Sequence, residues 1–168
     1  MVRFYDVDSG AVRVGGHDVR EFTVDSLLRN FSMVFQDVYL FNDTLEANIA
    51  FGTAGATHEQ VVEAAKCARC HDFISALPNG YDTVVGEGGA SLSGGERQRI
   101  SIVRALLKDA PIVVLDEATA SIDPENEQLI QQALTELMCE KTVAVIAHRL
   151  ATVEHADQIL VVEDGTVV

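Results

Sequence analysis

Three short apolar runs punctuate the chain: Phe31-Ser32-Met33-Val34-Phe35, Ile112-Val113-Val114-Leu115 and Val143-Ala144-Val145-Ile146-Ala147. The first predicts a strand. The other two are continuous enough to predict strands buried on both faces, as in a parallel sheet covered by helices. Between them the apolar spacing changes to three and four. Ser93 opens an S-x-x-E capping box with Glu96, ahead of an apolar face at Ile100, Val103, Leu106 and Leu107, and Pro111 stops that helix. Thr57 and Gln60 form a second box, followed by Val61, Val62, Ala65 and Ala68, so residues 57–77 read as helical up to Pro78-Asn79-Gly80. Asp123 precedes Pro124, Glu125 and Glu127, an acidic helix start, and Leu129, Ile130, Ala133, Leu134 and Leu137 make its buried stripe. Residues 1–16 predict a turn and a short strand over 11–14. Residues 158–162 and 166–168 flank Asp164-Gly165 and predict a hairpin.

Strands that alternate with helices place this chain in the α/β class, where ligands collect at the carboxyl ends of the strands. Polar residues stand at those ends: Gln36 after the first run, Asp116-Glu117 after the second, His148 after the third. At Ser93-Gly94-Gly95 a helix begins with two glycines. They let another molecule approach the first turn, where free N–H groups and the helix dipole favour an anion. Each feature alone has a plain alternative: a cap, a solvated loop, a surface amide or a structural histidine.

Composition narrows the function classes. A chain of 168 residues, 48% hydrophobic, is long enough for one domain with a real core. The formal net charge of −14 counts against nucleic-acid binding, which calls for a basic face. No apolar run approaches the roughly 18 residues of a membrane span, and no basic-then-apolar leader opens the chain, so membrane contact is expected only through a partner. Cys67-Ala68-Arg69-Cys70-His71 matches the C-x-x-C-H haem-attachment pattern, but it falls in a helical stretch and reads as reduced, packed thiols. His58-Glu59 starts a zinc-protease pattern that Val62 leaves without its second ligand.

Taken together, Leu92-Ser93-Gly94-Gly95-Glu96, Ile112-Val113-Val114-Leu115-Asp116-Glu117 and Ser121-Ile122-Asp123 resemble the signature, Walker B and D-loop motifs of an ABC-transporter ATPase domain. The stretch Phe35-Gln36-Asp37-Val38-Tyr39-Leu40-Phe41, with Thr44-Leu45-Glu46-Ala47-Asn48-Ile49, is similar to the exporter form of the glutamine loop. The stretch Val84-Val85-Gly86-Glu87-Gly88-Gly89 is similar to the exporter loop that meets the membrane domain. The resemblance covers almost the whole chain. It implies a P-loop-NTPase-like α/β fold, mostly parallel, with an inserted helical subdomain and incomplete at its N-terminus. Residues 1–40 and 108–168 would form the ATPase core, and residues 41–107 the helical subdomain with the signature motif.

The same resemblance implies ATP and Mg²⁺ as ligands. Gln36 and Asp116 would hold Mg²⁺, Glu117 would be the general base, and His148 would contact the γ-phosphate. Ser93, Gly94, Gly95 and Glu96 would meet nucleotide held by a second ATPase domain in a head-to-tail dimer, with Asp123 linking the two sites. The implied partners also include a transmembrane domain at the cytoplasmic face of the inner membrane. Residues 36–49 are also reminiscent of siderophore-handling transporters.

Two departures from the family pattern stand out. Glu96 replaces the commoner glutamine, and is expected to turn back as a cap rather than face a phosphate. G-x-x-x-x-G-K-[ST] occurs nowhere: the three lysines follow Ala65, Leu107 and Glu140. The chain is therefore expected to be a fragment, truncated at both ends and inactive alone. An alternative is a non-catalytic subunit that donates its signature helix to a partner. A soluble ABC ATPase of DNA maintenance fits the acidic charge and the exporter-like loops less well.

Overall fold

The computed structural model describes residues 2–116, 124–147, 153, 154 and 156–168. In chain order its strands are β1 (Arg13–Val14), β2 (His17–Asp18), β3 (Phe31–Val34), β4 (Asp43–Thr44), β5 (Val84–Val85), β6 (Ile112–Asp116), β7 (Thr142–Ile146), β8 (Val162–Glu163) and β9 (Thr166–Val167). The α-helices are α1 (Val24–Leu28), α2 (Leu45–Ala50), α3 (His58–Cys67), α4 (His71–Ser75), α5 (Gly94–Lys108) and α6 (Pro124–Met138).

The three apolar runs form one parallel sheet in the order β3-β6-β7, with Val34 opposite Leu115 and Asp116 opposite Ile146. β6 is central and packs on both sides, as its unbroken apolar run requires. Val113 and Leu115 join the main core with α3, α5 and α6, whereas Ile112 and Val114 pack on the opposite cluster of Val19, Leu27 and Phe31. β7 departs from expectation. Val143 packs against the core, but Ile146 is 52% exposed and Val145 also reaches the surface. An apolar run reveals that a strand is compatible with burial; its place at the edge of the described sheet is set by pairing with distant β6 alone.

α5 is the axis of the fold. Ile100, Ile102 and Val103 are fully buried, and Ala105, Gln98, Arg99 and Ser101 nearly so, a wider buried surface than the predicted stripe. Three tethers fix its direction. Gln98 Nε2 donates to the Phe35 carbonyl (3.3 Å), Ser32 Oγ to the Ala105 carbonyl (3.1 Å) and Lys108 Nζ to the Leu28 carbonyl (2.9 Å). Residue numbers rise along α5 as they fall along β3, so the helix runs antiparallel to the strand. Its N-terminus therefore lies past the strand's carboxyl end, with Ser93 about 7–8 Å beyond the level of Gln98 at 1.5 Å per residue.

The 57–77 stretch is two helices rather than one. Arg69 takes a left-handed φ of 56°, and the Cys70 N–H closes back on the Ala65 carbonyl at 2.7 Å, which ends α3 before α4 begins. The thiols differ in turn. Cys70 is buried and its pKa is pushed up to about 12 by that burial, whereas Cys67 is exposed, contrary to the expected packed pair. The glycine-rich stretch near residue 84 contains a strand: β5 pairs antiparallel with β4, Asp43 opposite Val85. The hairpin expected around Asp164-Gly165 is present in shorter form, with Val162 opposite Val167, whereas the strand expected over 11–14 is Arg13–Val14 and turns back on His17–Asp18, a hairpin the sequence reading lacked. Among the described residues no helix is long and apolar enough to cross a membrane.

Candidate functional site

The site is assembled at the carboxyl end of the sheet. Asp116 is the last residue of β6 and is half-buried, while Gln36 stands two residues past the end of neighbouring β3 with its side chain exposed. Because Val34 is in register with Leu115, both polar residues leave the sheet at the same end, from strands about 4.8 Å apart. The amide and carboxylate oxygens are hard donors suited to Mg²⁺, so the residues present fit the implied ion. Glu117, Asp123 and His148 lie outside the described residues.

The N-terminus of α5 is a second candidate group. Ser93 is its N-cap, and the capping box is complete: Ser93 N–H donates to Glu96 Oε2 at 2.7 Å, and Glu96 N–H to Ser93 Oγ at 3.3 Å. Glu96 therefore uses its carboxylate as the cap of α5, as the S-x-x-E spacing led one to expect. The N–H groups of Gly94 and Gly95 have no acceptor inside the helix by its geometry, and the dipole makes this end positive. The two glycines differ in surroundings. A Cβ at Gly94 would meet nothing within 4 Å, whereas one at Gly95 would strike Asn126 of α6, with Cγ at 2.6 Å. Open space adjoins Gly94; the near side of Gly95 is occupied from within the chain.

The loop ahead of this turn is braced. Arg97 Nη1 donates to the Leu92 carbonyl at 2.6 Å, and its aliphatic stem lies so close to Gly89 that a Cβ there would approach Arg97 Cδ to 2.9 Å and Leu40 Cδ1 to 2.8 Å. Gly89 also has φ +72°, so both conformation and space demand glycine at that position.

Several residues that organise the site escaped the sequence reading. Gln98 ties α5 to the backbone immediately before Gln36. Asn48 is buried and latches the following loop, accepting from the Phe41 N–H (2.8 Å) and donating to the Phe41 and Thr44 carbonyls (3.0 Å each). Arg104 reaches the Tyr39 carbonyl and Asn48 Oδ1, both at 2.8 Å, as well as the Asn48 carbonyl, and its guanidinium lies 5.8 Å from the Phe51 ring centroid. Burial lowers the Arg104 pKa to about 10, which leaves it charged at neutral pH. The available signal was a polar residue on an apolar helical face: Asn48 sits between Leu45 and Ile49, and Gln98 and Arg104 lie among buried α5 residues.

Comparison with known proteins bears on this arrangement. The ABC transporter family pattern matches residues 1–120. The ATP-dependent lipid A-core flippase of Vibrio cholerae is 55% identical over 169 aligned residues, covering 100% of this chain and 29% of the flippase. That of Escherichia coli K12 is 54% identical with the same coverage. A bacterial Atm1-family ABC exporter solved with ATP bound superposes with a TM-score of 0.89 at 46% identity, over 98% of this chain and 29% of the exporter. The chain thus spans less than a third of the proteins it resembles.

Proposed function

Because this chain belongs to the ABC transporter family and has the P-loop-NTPase-like α/β fold of its exporter members, we propose that it is the ATP-handling portion of an exporter, coupling hydrolysis to transport across a membrane. One observation carries the reading: an acid at the end of the central strand, an amide beside it and an open, glycine-bearing helix start all stand at one end of the sheet. On this reading residues 1–40 and 108–168 belong to the ATPase core and residues 41–107 to the helical subdomain.

Asp116 and Gln36 would hold Mg²⁺, which when bound neutralises phosphate charge. Glu117 would accept the proton of the attacking water, and His148 would steady the γ-phosphate. The Ser93 hydroxyl with the Gly94 and Gly95 N–H groups would bind the γ-phosphate of nucleotide held by a second, head-to-tail ATPase domain. Glu96 would contribute by holding that turn in shape, and Asp123 by joining the two sites. Such a domain would sit on a transmembrane partner at the cytoplasmic face of the inner membrane. The relatives named for lipid A-core make that lipid the first cargo to test.

The deciding experiment replaces Glu117 by Gln in the protein as encoded, with whatever sequence flanks these residues. ATP binding is expected to persist while turnover falls at least a hundredfold. A variant that keeps most of its rate removes Glu117 from the role of base. Failure of the unmutated protein to hydrolyse ATP would favour the second reading, a non-catalytic subunit that lends its signature helix to a partner.

A further inference from the structure

Gly95 stands at the first turn of a helix start whose other glycine faces open space, yet it is buried. What covers it is the side chain of Asn126, three residues into α6: a Cβ at position 95 would fall 2.6 Å from Asn126 Cγ, 2.7 Å from its Cβ and 2.9 Å from its Oδ1. Real side chains do not tolerate such approaches, so Asn126 lies directly against the backbone of Gly95. α6 begins immediately after the segment that follows Asp116, and α5 and α6 pack along their lengths through Ile130, Ala133, Leu134 and Leu137 in the shared core.

We infer that Asn126 is a positioning residue, a wedge that sets the first turn of α5 relative to the start of α6. This rests on the proposed function and deepens it. The two glycines divide the work: Gly94 leaves room for the ligand, and Gly95 leaves room for Asn126. In a head-to-tail pair the Asp116 end of one chain serves its own nucleotide, while its Ser93 turn serves the partner's. Asn126 holds that turn from the start of α6, so loss of its side chain loosens the turn that meets the opposite phosphate while the chain's own site stays in place.

The test uses the protein as encoded and separates nucleotide binding in its own site from ATP-driven association of two ATPase domains. Asn126→Ala is expected to raise the ATP concentration for half-maximal association at least fivefold, with affinity for its own nucleotide within twofold of wild type. Asn126→Asp keeps the size and adds a negative charge beside the anion-binding turn; a loss of tenfold or more is expected. Gly95→Ala should weaken association and lower the thermal midpoint, and Asn126→Gly in the same chain should recover part of both. The inference is overturned if Asn126→Ala and Asn126→Asp associate within twofold of wild type. It is equally overturned if own-site affinity falls in parallel with association, or if Asn126→Gly gives no recovery in Gly95→Ala. A wild-type protein that binds ATP without associating would instead sink the two-domain reading, and the phosphate-facing half of this inference with it.

Discussion

Glu96 is the residue where two electrostatic demands meet. A carboxylate about 6 Å from a phosphate charge would be repelled by roughly 3 kcal/mol at an effective dielectric of 20, whereas the same charge at a helix start gains about 0.3–1 kcal/mol from the dipole. The observed geometry resolves the conflict by turning the carboxylate onto the Ser93 N–H at 2.7 Å. Gln can make the same reciprocal bond, so Glu96→Gln should change ATP-driven association less than threefold and lower thermal stability slightly, as read by titration and melting. Association tightened tenfold or more would show that the carboxylate acts on the phosphate after all.

At the scale of elements, the loops around the site are held by side chains that reach across from helices. Arg104 bridges α5 to the backbone at Tyr39 and Asn48, so Arg104→Met, similar in length but without donors, leaves partly buried acceptors unpaired. A loss of about 2–3 kcal/mol is expected by denaturant unfolding, the usual cost of orphaning charge-assisted bonds. α2 and α3 are joined by a different device: His58 Nδ1 lies 2.7 Å from Glu46 Oε2, with the ring edge-on to Tyr81. The hydrogen bond to Glu46, then its charge, raises the His58 pKa above 6.5, with Glu59 and Asp82 acting in the same sense. A folded-state pKa raised above the unfolded one gives stability that is complete below pH 6.5 and fades as pH rises through the raised value. His58→Gln should therefore lower stability below pH 6.5, converge with the unmutated protein well above the raised pKa, and so flatten the decline between, measured by unfolding at a series of pH values.

For the molecule as a whole, the consequence concerns what these 168 residues do alone. Phosphoryl transfer relies on positioning and charge neutralisation, and the backbone cradle and lysine of a G-x-x-x-x-G-K-[ST] loop provide much of both. Without that motif in the sequence, the isolated chain should show no turnover and no micromolar affinity for Mg·ATP by calorimetry. Tight binding with hydrolysis would mean that other residues form the cradle. The described core is continuous from Leu45 and Val61 in the helical region to Val113 and Ala133 beside the sheet. Removing residues 41–107 should therefore abolish cooperative unfolding of the remainder.

Much of this was legible along the chain because local physics dictated it. Short apolar runs of four or five residues read as strands, which located β3, β6 and β7. Reciprocal bonds within three residues define a capping box, and both boxes, Thr57 with Gln60 and Ser93 with Glu96, are present. The polar residues ending β3 and β6 were readable for the same reason, since a strand's end follows from where its apolar run stops. Tertiary structure decided what depends on residues far apart in sequence. It placed β7 at the edge of the described sheet, paired β4 with β5, turned Arg69 to separate α3 from α4, and laid α5 antiparallel to β3. It also divided two adjacent glycines that are identical in the sequence, since only the arrival of Asn126 from another helix distinguishes the space beside Gly95 from that beside Gly94.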